Sequence, residues 1–308
     1  MMKRTRIALA FTATVAMLGV AACGSGSNDP LAAGGSASKA ATSTIVVGSA
    51  NFPESALLAE IYAGALGAKG VTVQKKLNIG SRETYIPALK DGSIDLIPEY
   101  TGVLDQYFNK NATATTSDAV YAELKAAVPA TMTVLAKSAA EDKDAVVVTQ
   151  KTAAKYGLKS IADLGPLAKN LTLGGPPEWK TRPTGVPGLK KVYNLDFKTF
   201  RPLDAGGPLS VQALKNGQVD AVNLFTTDPS VAANGFVILG DPKSLFAAQN
   251  VVPLITKSKV TPAITTTLDA ISAKLDTATL GQLVKEVVID KKDPAVVAKE
   301  FLTKNNLA

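Results

Sequence analysis

Histidine is absent from the 308 residues, and Cys23 is the only cysteine. The first absence removes Ser-His-Asp and Cys-His catalytic sets and ordinary His/Cys zinc sites. Carboxylate or lysine chemistry stays open on composition alone. The second absence excludes an internal disulfide framework. Runs of five or six like charges are also missing, and the lysines are scattered without interleaved aromatics. A nucleic-acid surface is therefore not expected, and neither a metal site nor a cofactor is. The formal charge is +7, but Lys3, Arg4 and Arg6 fall in a segment expected to be removed. Without those three the count is 30 basic residues against 26 acidic, or +4.

What is present begins with that segment. Residues 1–22 carry a basic start, an apolar stretch from Ile7 to Leu18, and small residues leading to Val20-Ala21-Ala22-Cys23. The apolar part is too short for a good membrane span and has the layout of a secretory signal. Residues 23–43 are rich in Gly, Ser and Ala without periodicity, which suits a flexible tether. A plain signal peptide with Cys23 as a free thiol predicts the same tail.

From residue 44 short β-branched runs alternate with amphipathic helical stretches, so an α/β fold with parallel sheets and helices on both faces is expected. Strands are expected at Ile45–Val47, Val71–Ile79, Ile94–Ile97, Ala145–Thr149, Leu171–Leu173, Thr199–Leu203, Val219–Leu224, Val237–Leu239 and Val251–Ile255, with helices alone after that. Helices are expected from Pro53 to about Leu66 and around Thr84–Lys90.

An internal echo organises the chain. Ala88-Leu89-Lys90-Asp91-Gly92-Ser93-Ile94-Asp95-Leu96-Ile97 returns as Ala213-Leu214-Lys215-Asn216-Gly217-Gln218-Val219-Asp220-Ala221-Val222, with five identities in ten positions. Each copy reads as a helix end, a glycine cap and a buried strand. Each is followed by an aromatic and a threonine, Tyr100-Thr101 and Phe225-Thr226, at the strand end where open α/β sheets bind ligands. Two similar lobes facing a shared cleft follow: residues 44–143 and 251–308 in one, 144–250 in the other. The strands near Ala145–Thr149 and Val251–Ile255 would be the crossings.

Several stretches carry a resemblance. Val46-Val47-Gly48-Ser49-Ala50-Asn51-Phe52-Pro53-Glu54-Ser55, the run from Ala88 through Pro98-Glu99-Tyr100-Thr101-Gly102, Arg182-Pro183-Thr184-Gly185, Asn216 to Asp228, and Asp293 to Leu302 are similar to the glycine betaine/choline-binding proteins of osmoprotectant ABC importers. Val-Ala-Ala-Cys resembles a bacterial lipobox, which implies a lipid on Cys23 and cleavage before it. The family resemblance implies a two-lobed periplasmic-binding-protein fold of type II, a monomeric, non-enzymatic receptor that closes on its solute and docks on ABC permease subunits. It would sit on the extracytoplasmic face of the cell membrane, in the periplasm if an outer membrane is present. It further implies a box of aromatic rings for a quaternary ammonium, which donates no strong hydrogen bond and is drawn to ring faces, with basic or hydroxyl groups for a carboxylate.

On that basis the ligand candidates are Asn51, Phe52, Tyr100, Thr101, Asp142, Asp144, Trp179, Arg182, Phe225 and Thr226. The family pattern is altered at several of these points. Val103 stands where a threonine is common, Asp142-Lys143-Asp144 has lost an aromatic, Val211 and Phe225 replace tyrosines, and Ala50 stands where some members carry Lys or Gln. Asp142 and Asp144 would offer negative charge in place of lost rings, or lie as solvated loop charges beside Lys143. Thr101 and Thr226 would donate to the ligand or cap the following helices. Arg182 reads as a ligand fork or a surface ion pair, Trp179 as a cage wall or a core residue, and Tyr85 and Tyr107 as core. A different solute in the same cleft, aromatic or polyhydroxylated, remains an alternative. An enzyme on the same fold and a structural envelope lipoprotein rank lower.

Overall fold

The computed structural model describes residues 44–308, so the signal segment, Cys23 and the tether lie outside the described residues. The chain enters through β1 (Ile45–Gly48), α1 (Pro53–Ala68), β2 (Val73–Lys76), α2 (Arg82–Lys90), β3 (Leu96–Tyr100), α3 (Thr101–Phe108), α4 (Ser117–Ala127) and β4 (Met132–Val134). It continues through β5 (Asp144–Thr149), α5 (Gln150–Tyr156), β6 (Thr172–Gly175), α6 (Val186–Tyr193), β7 (Thr199–Pro202), α7 (Pro208–Lys215), β8 (Ala221–Phe225), α8 (Pro229–Ala233) and β9 (Phe236–Ile238). It ends with β10 (Val251–Thr256), α9 (Pro262–Ser272), α10 (Thr277–Val288) and α11 (Pro294–Lys304).

Two five-stranded sheets result, ordered β2-β1-β3-β10-β4 and β7-β6-β8-β5-β9. Each has a parallel trio, and in each the strand that arrives from the other lobe runs antiparallel: β10 against β3 and β4, β5 against β8 and β9. The sheets are therefore mixed where all-parallel ones were expected. A strand entering directly from the opposite lobe has no helical crossover to turn it round, so it pairs antiparallel.

The echo seen in the sequence is a structural equivalence. Gly92 and Gly217 both have positive φ, 79° and 67°, which ends α2 and α7 in the left-handed conformation glycine accepts without steric cost. Asp95 Oδ2 then accepts from the Val46 N–H at 2.8 Å, and Asp220 Oδ2 from the Thr172 N–H at 2.8 Å. Each aspartate thus pins the start of the central strand of its own sheet to that strand's neighbour. In register, Tyr100 faces Val251 and Phe225 faces Asp144, so the last residue of β3 and of β8 meets the first residue of a crossing strand. Both strands run further than the apolar runs alone suggested, which makes Tyr100 and Phe225 terminal strand residues. β2 is shorter than the expected Val71–Ile79, since it is an exposed edge that pairs only β1.

Helix α1 is apolar around its circumference and almost wholly buried, covered by α9, α10 and α11 from the C-terminal end. That burial fixes its N-terminus, where Phe52 and Glu54 sit, against the cleft.

Candidate functional site

A cleft opens between the sheets. Lobe one lines it with Ala50, Asn51 and Phe52 from the turn after β1, with Ser81, Arg82 and Tyr85 from the start of α2, and with Tyr100 and Val103. Lobe two contributes Pro176, Glu178, Arg182, Ala205, Asn223 and Phe225. Asp142, Asp144 and Gln249 come from the crossing segments. Of the sequence candidates, Asn51, Phe52, Tyr100, Asp142, Asp144, Arg182 and Phe225 come together here. Thr101, Trp179 and Thr226 do not.

The reasons are local. Thr101 is fully buried, and its hydroxyl donates to the Ala248 carbonyl at 3.1 Å and accepts from the Asn250 N–H at 3.0 Å. Thr226 Oγ1 donates to Asp142 Oδ1 at 3.2 Å and accepts from the Lys143 N–H. Both hydroxyls therefore bind the chain to its crossing segments, and neither caps a helix. Trp179 is buried in the lobe-two core, stacked on Phe246 at 6.1 Å. Its indole N–H finishes beside Asp144 without a well-formed hydrogen bond.

Three rings form one wall. Phe52 lies 5.2 Å from Phe225 and 6.1 Å from Tyr100, centroid to centroid and tilted by 34° and 33°. The Tyr100 hydroxyl donates to Glu54 Oε1 at 2.7 Å, and Thr227 of lobe two donates to Glu54 Oε2 at 2.6 Å. Asp142 faces the same carboxyl and accepts from the Thr227 N–H at 3.0 Å. Burial pushes both carboxyls up from the ordinary range, and for Asp142 the Glu54 charge adds to it. Two desolvated acids that face one another resist carrying two charges at once. Asp144 is also raised by burial, opposed by hydrogen bonding from Asn223 and by the two arginines. Asp142 and Asp144 are thus buried lining groups, not solvated loop charges.

Behind the ring wall sits a buried ion pair that sequence reasoning missed. Arg82 Nε and Nη2 each reach Glu99 at 2.7 Å, Tyr85 donates to Glu99 Oε1 at 2.7 Å, and the Tyr100 N–H donates to Oε2 at 2.9 Å. Burial opposes the Arg82 charge, and the Glu99 carboxylate more than offsets it, raising its pKa. Tyr85 is buried in the core as expected, and it also borders the cleft while its hydroxyl completes this cluster.

Arg182 is engaged by protein rather than left as an open fork. Its Nε and Nη2 clamp Glu83 Oε1 and Oε2 at 3.0 and 2.8 Å, from lobe two to lobe one, with Glu178 3.8 Å away. Glu83 is held down to about 2, because the Arg182 bonds and charge outweigh the burial that would raise it. The loop that carries Arg182 closes tightly: a Cβ on Gly185 would stand 1.9 Å from the Trp179 carbonyl oxygen. Gly185→Ala is expected to cost about 1–3 kcal/mol through this clash, read as a lowered midpoint in urea unfolding. An unchanged midpoint would show that the loop yields freely.

Two five-stranded sheets, two strands that cross between them and a ring-lined cleft give the layout of a two-lobed solute-binding protein. Residues 43–304 match the OpuAC family, the substrate binding domain of ABC-type glycine betaine transport systems, and the chain belongs to that family. It is a family of solute-binding transport proteins, not of enzymes. The chain is 29% identical over 278 residues to a glycine-betaine-binding protein of Pseudomonas aeruginosa, covering 86% of this chain and 88% of that one. It is 32% identical over 163 residues to the carnitine transport binding protein OpuCC of Listeria monocytogenes, and there it spans about half the relative's length (52% of each chain). Among solved structures it resembles a glycine betaine/carnitine/choline ABC transporter protein, at 26% identity and TM-score 0.67, covering 85% of this chain and 99% of that one. The lactococcal OpuAC complex with glycine betaine, at 15% identity and TM-score 0.60 over 85% and 96% of the two chains, shares the fold. No helix among the described residues is long and apolar enough to cross a membrane.

Proposed function

We propose that the protein captures a small quaternary-ammonium solute, of the class that includes glycine betaine, carnitine and choline, and delivers it to an ABC permease on the outer face of the cell membrane. Cys23, lipidated after signal cleavage, would anchor it there as a monomer. The observation that carries the reading is the Phe52–Tyr100–Phe225 wall on the same cleft as the Asp142 and Asp144 carboxyls. A trimethylammonium gains from ring faces by cation–π attraction and from nearby carboxylates by charge. Asn51 would complete the lobe-one side. Arg182 would act at the mouth as a latch that closes the lobes through Glu83.

The test is thermal unfolding of the mature domain with glycine betaine, choline, carnitine and non-cationic aromatic solutes. A true ligand at 100 times its dissociation constant is expected to add about 2.7 kcal/mol. Tyr100→Ala should weaken that ligand by about tenfold or more, as removal of one cage wall costs in the range of desolvated cation–π contacts. No shift with any quaternary ammonium would sink the reading.

A further inference from the structure

Two carboxyls meet beside the ring wall with no positive charge paired to them. Glu54, at the start of α1, is 4% exposed, and Asp142, just before β5, is 3% exposed. Glu54 accepts from the Tyr100 hydroxyl and from the Thr227 hydroxyl, while Asp142 accepts from the Thr227 N–H and the Thr226 hydroxyl. Every one of these donors is neutral. Neither carboxyl joins an ion pair among the described residues.

The charged groups around them are matched elsewhere or have the same sign. Lys143, next to Asp142 in sequence, holds its Nζ 3.4 Å from Glu141. Arg82 clamps Glu99 and Arg182 clamps Glu83, and both favour the ionised form of Asp144, which burial opposes. Asp228 adds negative charge on the Glu54 side. The unpartnered buried donors nearby, Gln249 Nε2 of the cleft lining and Trp179 Nε1 beside Asp144, are uncharged. Ionising both Glu54 and Asp142 would therefore bury two charges without a counter-ion, which is costly.

A cation in the cleft changes that balance by two routes. Asp142 lines the cleft together with Phe52, Tyr100 and Phe225, so an ammonium against those rings brings the missing positive charge to the pair. Tyr100 connects the wall to Glu54, since its ring belongs to the wall and its hydroxyl donates to that carboxyl. The bond is stronger when Glu54 is ionised. An ionised acceptor also pushes electron density into the phenol ring, which raises the attraction of the ring face for a cation.

We propose that solute capture is proton-linked: an ammonium on the ring wall drives a proton from the Glu54–Asp142 pair to solvent, and the ionised pair becomes the counter-ion of the ligand. This rests on the quaternary-ammonium reading above and adds its regulation. Charge balances in the step, because one cation enters as one proton leaves. Binding and ionisation favour each other equally, so affinity rises with pH, by up to about tenfold per pH unit where a full proton is released.

The test is calorimetric titration of the wild-type protein with glycine betaine, choline and carnitine, none of which titrates between about pH 5.5 and 8.5. Each titration is run in phosphate and in Tris, whose heats of protonation differ widely, so a released proton appears as a buffer-dependent enthalpy. The expected result is about 0.3 proton or more released per ligand bound, with affinity rising at least about threefold from pH 6 to pH 8. Equal enthalpies in the two buffers and a flat affinity would overturn the proposal and leave the quaternary-ammonium reading standing. If none of the three compounds binds, that reading falls and the proposal with it. In the double variant Glu54→Gln/Asp142→Asn, which keeps hydrogen-bonding side chains of the same size, the release should disappear. Release at the wild-type level there would place the proton on another group, Asp144 first, and overturn the role of the pair. The wild-type buffer comparison decides the coupling even if the double variant does not fold.

Discussion

Glu99→Ala is expected to destabilise the protein by about 3–5 kcal/mol, the usual cost of removing one partner from a buried ion pair. The Glu99 side chain is fully buried and that of Arg82 is 7% exposed, so no solvent is available to replace what the substitution removes. Four donors converge on this one carboxyl: two from Arg82, one from Tyr85 and the N–H of Tyr100. All would be orphaned together, and a guanidinium cannot escape by giving up its proton. In a domain of this size the loss corresponds to a fall in melting temperature of roughly 10 °C. Tyr85→Phe, which removes a single donor, should cost only about 1–3 kcal/mol. Urea unfolding of the two variants beside the wild type provides the check. A Glu99→Ala loss below that of Tyr85→Phe would mean that water or a rearranged side chain reaches Arg82, and that the ring wall is not held from behind as described.

That cluster also shows what the sequence could and could not disclose. The lobes were legible because their evidence is local. Helix end, glycine and strand recur at 88–97 and 213–222, and glycine with positive φ at 92 and 217 is a short-range requirement. The candidates at strand ends, Tyr100 and Phe225, followed from the same logic. Arg82 and Glu99 were missed because their pairing depends on α2 packing across β3, a tertiary contact that no spacing encodes. The sheets were expected to be parallel because helix–strand alternation does not reveal that β5 and β10 cross between lobes and run backwards. Thr101 and Thr226 drew attention for the right place and the wrong task. They tie the strand ends to the crossing segments, which requires knowing where residues 143 and 248–250 lie. Arg182 could be recognised as a site residue, but its partner Glu83 stands 99 positions earlier, on the opposite lobe.

The Glu54–Asp142 pair makes the stability of the fold sensitive to pH, and the sign follows from the direction of its shifts. Both acids are raised above their ordinary values, chiefly by burial, so the folded protein holds protons that the unfolded chain releases. Stability is then fully present below the unfolded carboxylate range of about 4. It falls as the pH rises from there through the raised native values, by up to about 1.4 kcal/mol per pH unit for each proton held. Glu54→Gln removes one titrating member while keeping an acceptor for Tyr100 and a donor towards Asp142 or Thr227. Its stability should therefore fall less steeply with pH, and above neutrality it should exceed the wild type by about 1 kcal/mol or more. Other raised carboxyls, Asp144 and Asp105 (raised to about 6 by burial with help from Glu123), give both proteins the same background and cancel in the difference. Asp228, whose charge also opposes ionisation of Glu54, is retained in both. The measurement is urea unfolding of each protein at a series of pH values from 5 to 9. Parallel curves would show that Glu54 and Asp142 do not share a proton in the folded state. Converging curves at low pH, with the variant ahead at high pH, are the expected result. Because Glu54 joins Tyr100 of lobe one to Thr227 of lobe two, the same proton helps to hold the lobes together at the floor of the cleft. Losing it adds a second buried charge there, which weakens the contact between Glu54 and its partners.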